Sequence, residues 1–230
     1  MRSTEGHPVS DNTQVPCLHP ELLQRLHALS AGPRRLLGLV APPGAGKSTL
    51  AALLVQALGQ RAQAVPMDGF HLAQIELLRL GRTQRKGAPD TFDAAGYAAL
   101  LQRLRHQGHD EVVYAPDFRR EIEEPVAGAL PVFPHTPLVI TEGNYLLLDE
   151  SPWQAAAAAL DEVWYLQVDS ALRLERLAAR HVQFGRSREA ALDWIAQSDE
   201  PNARRVEASM HRAHRRVSCD ETSQTYHFLA

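Results

Sequence analysis

Long hydrophobic runs, paired cysteines and an excess of positive charge are all missing from this 230-residue sequence. No stretch approaches the roughly 18 consecutive apolar residues of a membrane-spanning helix, and residues 1–8 contain no apolar segment of the kind found in signal peptides. The two cysteines, Cys17 and Cys219, are too few for a disulfide framework, which favours a reducing, cytoplasmic location. The formal net charge of −3 argues against a nucleic-acid partner, because such proteins usually carry a basic excess.

Lysine is also scarce, since only Lys47 and Lys86 are lysines among the 24 basic residues. The apolar fraction of 44% and the length fit one globular domain with additions. We expect residues 1–33 to form a polar leader followed by a helix at 21–29, and residues 34–230 to form the main domain.

Short apolar segments alternate with amphipathic ones along most of the chain. Strands are predicted at 36–41, 62–65, 111–114, 138–141, 163–168 and 225–229. Helices are predicted at 21–29, 47–58, 93–104, 152–160, 171–180, 187–197 and 202–211. This alternation is typical of βαβ units, so it predicts an α/β fold with a mainly parallel sheet covered by helices on both faces.

Residues 41–49 nearly match the phosphate-binding pattern G-x-x-x-x-G-K-[ST], with Ala41 in place of the first glycine. The expected nucleotide-binding residues are Pro43, Gly44, Ala45, Gly46, Lys47, Ser48 and Thr49. Backbone N–H groups in such a loop surround phosphate oxygens, Lys47 can reach the β- and γ-phosphates, and Ser48 can ligate Mg²⁺. The alternative is a strand-to-helix turn without a ligand, but the predicted strand before the loop and helix after it favour phosphate binding.

Two acidic residues lie at the ends of predicted strands, where ligands bind in open α/β sheets. Asp68 can act as the general base that takes the proton from an attacking hydroxyl; it can also be a helix N-cap. Glu142 stands where a second Mg²⁺-binding carboxylate is expected, although a solvated acid would fit the same position.

The predicted helix from residue 171 carries Arg173, Arg176 and Arg180 on one face. Arginines that converge on a polyphosphate can stabilise the charge that develops during transfer, and we assign Arg173 and Arg176 to catalysis. A segment around 173–186 can close over the nucleotide as a lid. The alternative is a solvated arginine stripe.

Four further residues are candidates for contacts with the acceptor: His71, Asp90, Asp117 and Arg120. Asp90 follows a proline in a turn and could bind vicinal hydroxyls, while Asp117 and Arg120 lie in a segment that could equally form a structural salt bridge. The 11 histidines show no zinc-site spacing.

Six stretches occur in one characteristic order: 44–49, 67–71, 86–93, 116–126, 141–147 and 173–181. With them the chain resembles the P-loop kinases of the uridine kinase, phosphoribulokinase and pantothenate kinase superfamily, especially the bacterial nucleoside/nucleotide kinase-like branch that includes fructose-transport-system kinases. The resemblance implies a three-layer α/β/α sandwich of the P-loop NTPase type, with a five-stranded parallel core. It also implies Mg²⁺ and ATP, a small hydroxyl-bearing acceptor, Asp68 as base, and Arg173 and Arg176 as lid arginines.

Departures from the uridine kinase pattern concern the acceptor. Gly69-Phe70-His71 stands where uridine kinases have Ser-Phe-Tyr, and Pro116-Asp117-Phe118 only loosely matches their Tyr-Asp-Phe. The sequence therefore predicts an ATP-dependent small-molecule kinase with a nucleoside-like or sugar acceptor. Alternatives are a pantothenate-type kinase and a nucleotide-hydrolysing switch. The chain lacks the Asn-Lys-x-Asp motif of GTPase switches. The sequence leaves the oligomeric state open.

Overall fold

The computed structural model describes residues 15–230. The strands are β1 (Cys17–Leu18), β2 (Arg35–Val40), β3 (Ala62–Ala64), β4 (Val113–Arg119), β5 (Glu124–Val132), β6 (Leu138–Gly143), β7 (Glu162–Leu166), β8 (Arg215–Asp220) and β9 (Thr225–Phe228). The α-helices are α1 (Pro20–Leu29), α2 (Lys47–Leu58), α3 (Gln74–Arg79), α4 (Ala94–Arg105), α5 (Trp153–Ala158), α6 (Ser170–Gln183), α7 (Arg188–Trp194) and α8 (Glu200–Ala208). A π-helical turn, Ile195–Asp199, joins α7 to α8.

The main sheet has seven strands in the order β1-β9-β8-β7-β2-β6-β3. Neighbouring strands from β8 to β3 run parallel to one another, which confirms the five-stranded parallel core, while β9 is antiparallel to β8. The carboxyl ends of these parallel strands meet at one edge of the sheet, and the loops of the candidate site leave from that edge.

Strand β2 explains why the fold has three layers. Leu36 and Val40 belong to the core on one face of the sheet, which also contains Tyr97 of α4. Leu37 and Leu39 belong to the core on the other face. Since successive side chains of a strand point to opposite faces, an apolar run buried on both sides is expected for a central parallel strand. The predicted α/β/α sandwich is confirmed.

The segment after α4 differs from the prediction. Residues 111–114 were expected to form a strand in the βαβ series, but β4 pairs only with β5, as a separate two-stranded antiparallel sheet. This hairpin contacts the turn Met67–Phe70. A Cβ at Gly69 would lie 2.3 Å from the carbonyl oxygen of Pro116, so only glycine allows the hairpin to approach this closely.

The amino-terminal part of the described chain joins the same core. Leu22, Leu26 and Leu29 of α1 are buried with the strands of the main sheet, and β1 pairs with β9. The predicted leader lies outside the described residues as far as residue 14. Within residues 15–230, no helix combines the length and the apolar character that crossing a membrane requires.

Candidate active site

The loop between β2 and α2 depends on two glycines with left-handed backbone conformations. Gly44 and Gly46 have φ angles of +83° and +89°, which side chains other than glycine seldom adopt. A Cβ at Gly44 would also lie 2.7 Å from the carbonyl oxygen of Arg173, because α6 packs against the outside of the loop. Ala41 has no positive φ, so its replacement of the first glycine in the pattern causes no backbone strain.

Lys47 is the first residue of α2 and is buried. Its Nζ donates to the carbonyl oxygens of Ala41 and Pro42, at 2.9 and 3.2 Å, and to Oδ1 of Asn144 at 2.6 Å. Burial lowers the pKa of Lys47 to about 8, against the opposing charges of Glu142 and Asp68. The ammonium is therefore held inside the loop, where it can contact an anion.

Ser48 and Glu142 form a hydrogen bond at the edge of the sheet where β2 and β6 end. The Ser48 hydroxyl donates to Oε1 of Glu142 at 2.6 Å. Burial raises the pKa of Glu142, and the charge of Asp68 raises it further. Such a pair of mutually repelling carboxylates beside a hydroxyl is suited to a divalent cation.

Asp68 lies in the turn after β3 and shares a cavity of about 660 Å³ with Lys47, Ser48 and Glu142. Its Oδ2 lies 3.5 Å from Nη2 of Arg120, which reaches the cavity from the β4–β5 hairpin. The cleft thus brings together the phosphate loop and the predicted base, as the sequence led us to expect.

His71 lies beside Asp68 on an aromatic wall of the same cleft. Its ring centroid is 4.0 Å from that of Phe92 and 4.9 Å from that of Phe118. Burial lowers the pKa of His71 to about 4, so the imidazole is neutral near pH 7. Its Nδ1 is buried and has no hydrogen-bond partner within residues 15–230.

The two other predicted acceptor-binding acids are held away from the cleft. Asp90 accepts from Arg85 at 2.6 Å and lies 3.3 Å from Arg82, and Asp117 lies 3.5 Å from Arg119. Neither acid is among the residues that line the cavity. The structural salt bridge considered for the Asp117 segment is present. Asp93 caps α4, because its side chain accepts a hydrogen bond from the Gly96 amide.

The three arginines of α6 have three different environments. Arg173 is only 3% exposed and donates to the Pro43 carbonyl at 3.3 Å and to Glu200, behind the phosphate loop. Arg176 points to the surface and pairs with Glu221 at 3.2 Å, so the structure does not bring it into the cleft. Arg180 lines the cleft.

A second cavity of about 270 Å³ lies on the other side of the phosphate loop. Its walls include Pro42, Ala45, Gln167, Arg173 and Met210. Thr49, although part of the predicted nucleotide-binding set, is exposed on α2 and lines neither cavity.

Sequence reasoning missed or undervalued three residues that contact the site. Asn144 holds Lys47, and its position two residues after Glu142 at the end of a strand was the available signal. Arg180 was given less weight than its neighbours on the same helix. Lys86, one of only two lysines, lines the cleft; its rarity and its place in the stretch 86–93 were the available signals.

Comparison with known proteins agrees with this arrangement. A profile of the phosphoribulokinase/uridine kinase family matches residues 36–225. A Schizosaccharomyces pombe protein named "Putative uridine kinase" is 37% identical over 188 residues, which are 77% of this chain and 80% of that protein. Escherichia coli YggC is 35% identical over 226 residues, which are 96% and 91% of the two chains. The crystal structure of a "putative fructose transport system kinase" from Silicibacter sp. TM1040 has a TM-score of 0.74 and 39% identity, covering 82% of this chain and 93% of that chain.

The fold and these relatives define a P-loop kinase. The chain belongs to the phosphoribulokinase/uridine kinase family, as its motifs predict, and this family implies ATP-dependent phosphoryl transfer.

Proposed function

We propose that this protein transfers the γ-phosphoryl group of ATP to a hydroxyl of a small molecule, with a nucleoside-like or sugar acceptor. The observation that carries the proposal is the cleft in which Asp68 faces the same space as Lys47, Ser48 and Glu142. An acceptor hydroxyl next to Asp68 would lie on the opposite side of a terminal phosphate from the loop.

The residues present fit a nucleotide with Mg²⁺. The two left-handed glycines let the loop backbone curve so that its N–H groups can face phosphate oxygens, and the Lys47 ammonium is already inside the loop. Ser48 and Glu142 would hold the ion, which when bound neutralises charge on the phosphate oxygens. Within residues 15–230, no group of three His, Cys, Asp or Glu side chains is arranged to hold a metal alone, so the phosphates would supply the remaining ligands. The second cavity offers a place for the nucleotide base.

In the proposed reaction the acceptor oxygen forms a bond to the γ-phosphorus while the bond to the leaving ADP oxygen breaks. Asp68 takes the proton of the hydroxyl, and Lys47 and Arg180 stay close to the negative charge that spreads over the phosphoryl oxygens. We no longer place Arg176 in this step, because it pairs with Glu221 at the surface. Arg173 acts from behind the loop, through Pro43.

The test is the Asp68→Asn variant, assayed for acceptor-dependent ADP release with nucleosides, simple sugars, pantothenate and their phosphorylated forms. We expect turnover to fall by about 10²–10⁴-fold, the usual contribution of a general base, with ATP affinity nearly unchanged. Asp110→Asn, at a side chain that is 91% exposed, is the matched control. Normal turnover in Asp68→Asn would exclude the base role, and ADP release that no acceptor stimulates would favour a hydrolysing switch.

A further inference from the structure

Two cations occupy the part of the cleft wall that lies around His71. Nζ of Lys86 lies 5.6 Å from the ring centroid of Phe118 and donates to the main-chain carbonyl of Glu123 at 2.7 Å. Lys86 forms no salt bridge within the described residues. The nearest acid to Arg120 is Asp68, and their 3.5 Å separation is long for a charge-assisted hydrogen bond.

Arg180 adds a further positive charge across the same cleft, besides Arg120 with its 3.5 Å contact to Asp68. The Arg180 side chain forms neither a hydrogen bond nor a salt bridge within residues 15–230, although burial lowers its pKa, and the positive charge of Arg120 lowers it further. Arginines just outside the cleft do have carboxylate partners, as Arg85 has Asp90 and Arg119 has Asp117. Within residues 15–230, neither Lys86 nor Arg180 has a carboxylate partner, and both line the cleft where a ligand would bind.

A nucleotide accounts for only part of this charge. In the proposed function, Lys47 and Arg180 face the triphosphate, whereas Lys86 and Arg120 flank the acceptor side of Asp68. The other acids on this side are Glu123 and Glu124. Glu124 accepts the Gln74 amide at 2.9 Å, and Glu123 forms no salt bridge with Lys86 or Arg120.

The imidazole of His71 gives a second, independent sign of a ligand. Its Nδ1 is buried without a partner, and a buried polar atom normally has one. A bound oxygen or hydroxyl at the same place would satisfy it, with Phe92 and Phe118 as the apolar surfaces around the carbon skeleton.

We propose that the acceptor carries an anionic group, a phosphate or a carboxylate, which binds between Arg120 and Lys86 while the acceptor hydroxyl lies at Asp68. This inference rests on the proposed phosphoryl transfer and narrows its acceptor. A small hydroxy compound with one such anionic group can contact Arg120, Lys86 and the base together. A neutral nucleoside or sugar leaves Lys86 without a carboxylate partner and Arg120 with only its 3.5 Å contact to Asp68.

The experiment compares acceptors that differ only in the anion: a pentose with its 5-phosphate, and glycerol with glycerate. For each pair we measure Mg·ATP-dependent ADP release and ligand-induced shifts in melting temperature with a non-hydrolysable ATP analogue. The anionic member of at least one pair should bind and react at least about 10-fold better than its neutral twin. The pair that responds distinguishes a phosphate-bearing from a carboxylate-bearing acceptor.

Variants of Arg120 and Lys86 test whether these two residues bind the anionic group of the acceptor. Arg120→Ala and Lys86→Ala should each lower kcat/KM for the anionic acceptor by about 10- to 100-fold, the range for a hydrogen bond to a charged group. In both variants the ratio of kcat/KM for the anionic acceptor to kcat/KM for its neutral twin should fall by the same factor, whatever happens to the absolute rates, and Lys86→Arg should retain part of the preference. Arg119→Ala is the matched control, because Arg119 pairs with Asp117 outside the cleft.

Two outcomes overturn the inference. If neutral acceptors react as well as their anionic twins, the anion site is refuted while phosphoryl transfer stands. If no anionic compound binds or stimulates ADP release, the inference is refuted as well, and Asp68→Asn together with the neutral acceptors then decides whether the proposed kinase activity survives.

Discussion

The buried ion pair between Arg173 and Glu200 allows the sharpest prediction about stability. The guanidinium is 3% exposed and the carboxylate 25% exposed, and the same arginine donates to Pro43 of the phosphate loop. Glu200→Gln removes the negative charge but preserves the shape of the side chain. It leaves Arg173 charged and largely out of water, which is the costly way to break a buried pair.

The magnitude follows from this burial. Breaking a fully buried pair costs about 3–5 kcal/mol, and since Glu200 is partly solvated we expect a loss of about 2–3 kcal/mol in the free energy of unfolding. For a domain of this size that is a fall of about 4–12 °C in melting temperature. Glu150→Gln is the matched control: Glu150 pairs with Arg205 at the surface, and its loss should cost no more than about 1 kcal/mol.

Urea unfolding at constant pH measures both variants, and ATP affinity is a second readout. Because Arg173 contacts Pro43, ATP binding should weaken in Glu200→Gln but not in Glu150→Gln. A double variant, Arg173→Met with Glu200→Gln, should lose less stability than the two single changes added together. Equal stability losses in Glu200→Gln and Glu150→Gln would refute the reasoning.

Two predictions concern pH. Because the pKa of Lys47 is about 8 in the free protein, kcat/KM for ATP should fall above pH 8 as the ammonium loses its proton; an identical alkaline limb in Lys47→Arg would exclude this assignment. The pKa of His71 is lowered from 6.5 to about 4, so between pH 7 and pH 5 the unfolded chain gains a proton that the folded protein does not bind, and stability should fall by about 2 kcal/mol. In His71→Phe the fall in stability between pH 7 and pH 5 should be smaller by that amount. If urea unfolding shows the same pH dependence in His71→Phe as in the unmodified protein, the prediction is wrong.

Local sequence was sufficient to predict the phosphate loop and the central strands of the main sheet. Helix α2 has the predicted bounds, since Gly46 and Gly59 border an unbroken helix-favouring segment. Strand β2 was equally clear, because an apolar run buried on both faces has few other interpretations. The base Asp68 follows from its position after β3, although its role remains a prediction.

The pairing of the remaining strands and the surroundings of individual side chains were harder to predict. Strand β5 contains Pro125, Gly128 and Pro131, which weaken any strand signal, so the hairpin that contains it was missed. Strand β8, Arg215–Asp220, was missed for its polar composition. Helical periodicity places Arg173, Arg176 and Arg180 on one face of α6, but it does not specify what each one contacts. In the structure Arg173 contacts the phosphate loop, Arg176 pairs with a surface acid and Arg180 lines the cleft.

In the proposed function, the separate β4–β5 sheet supplies part of the acceptor site, while the nucleotide is held by other elements. The hairpin carries Phe118 and Arg120, whereas the phosphate loop and Glu142 belong to the seven-stranded sheet. The hairpin meets the rest of the site at Gly69, one residue from Asp68. On that proposal, exchanging the hairpin changes the part of acceptor recognition that Phe118 and Arg120 contribute and leaves the phosphate loop in place, provided that the graft preserves the tight approach at Gly69.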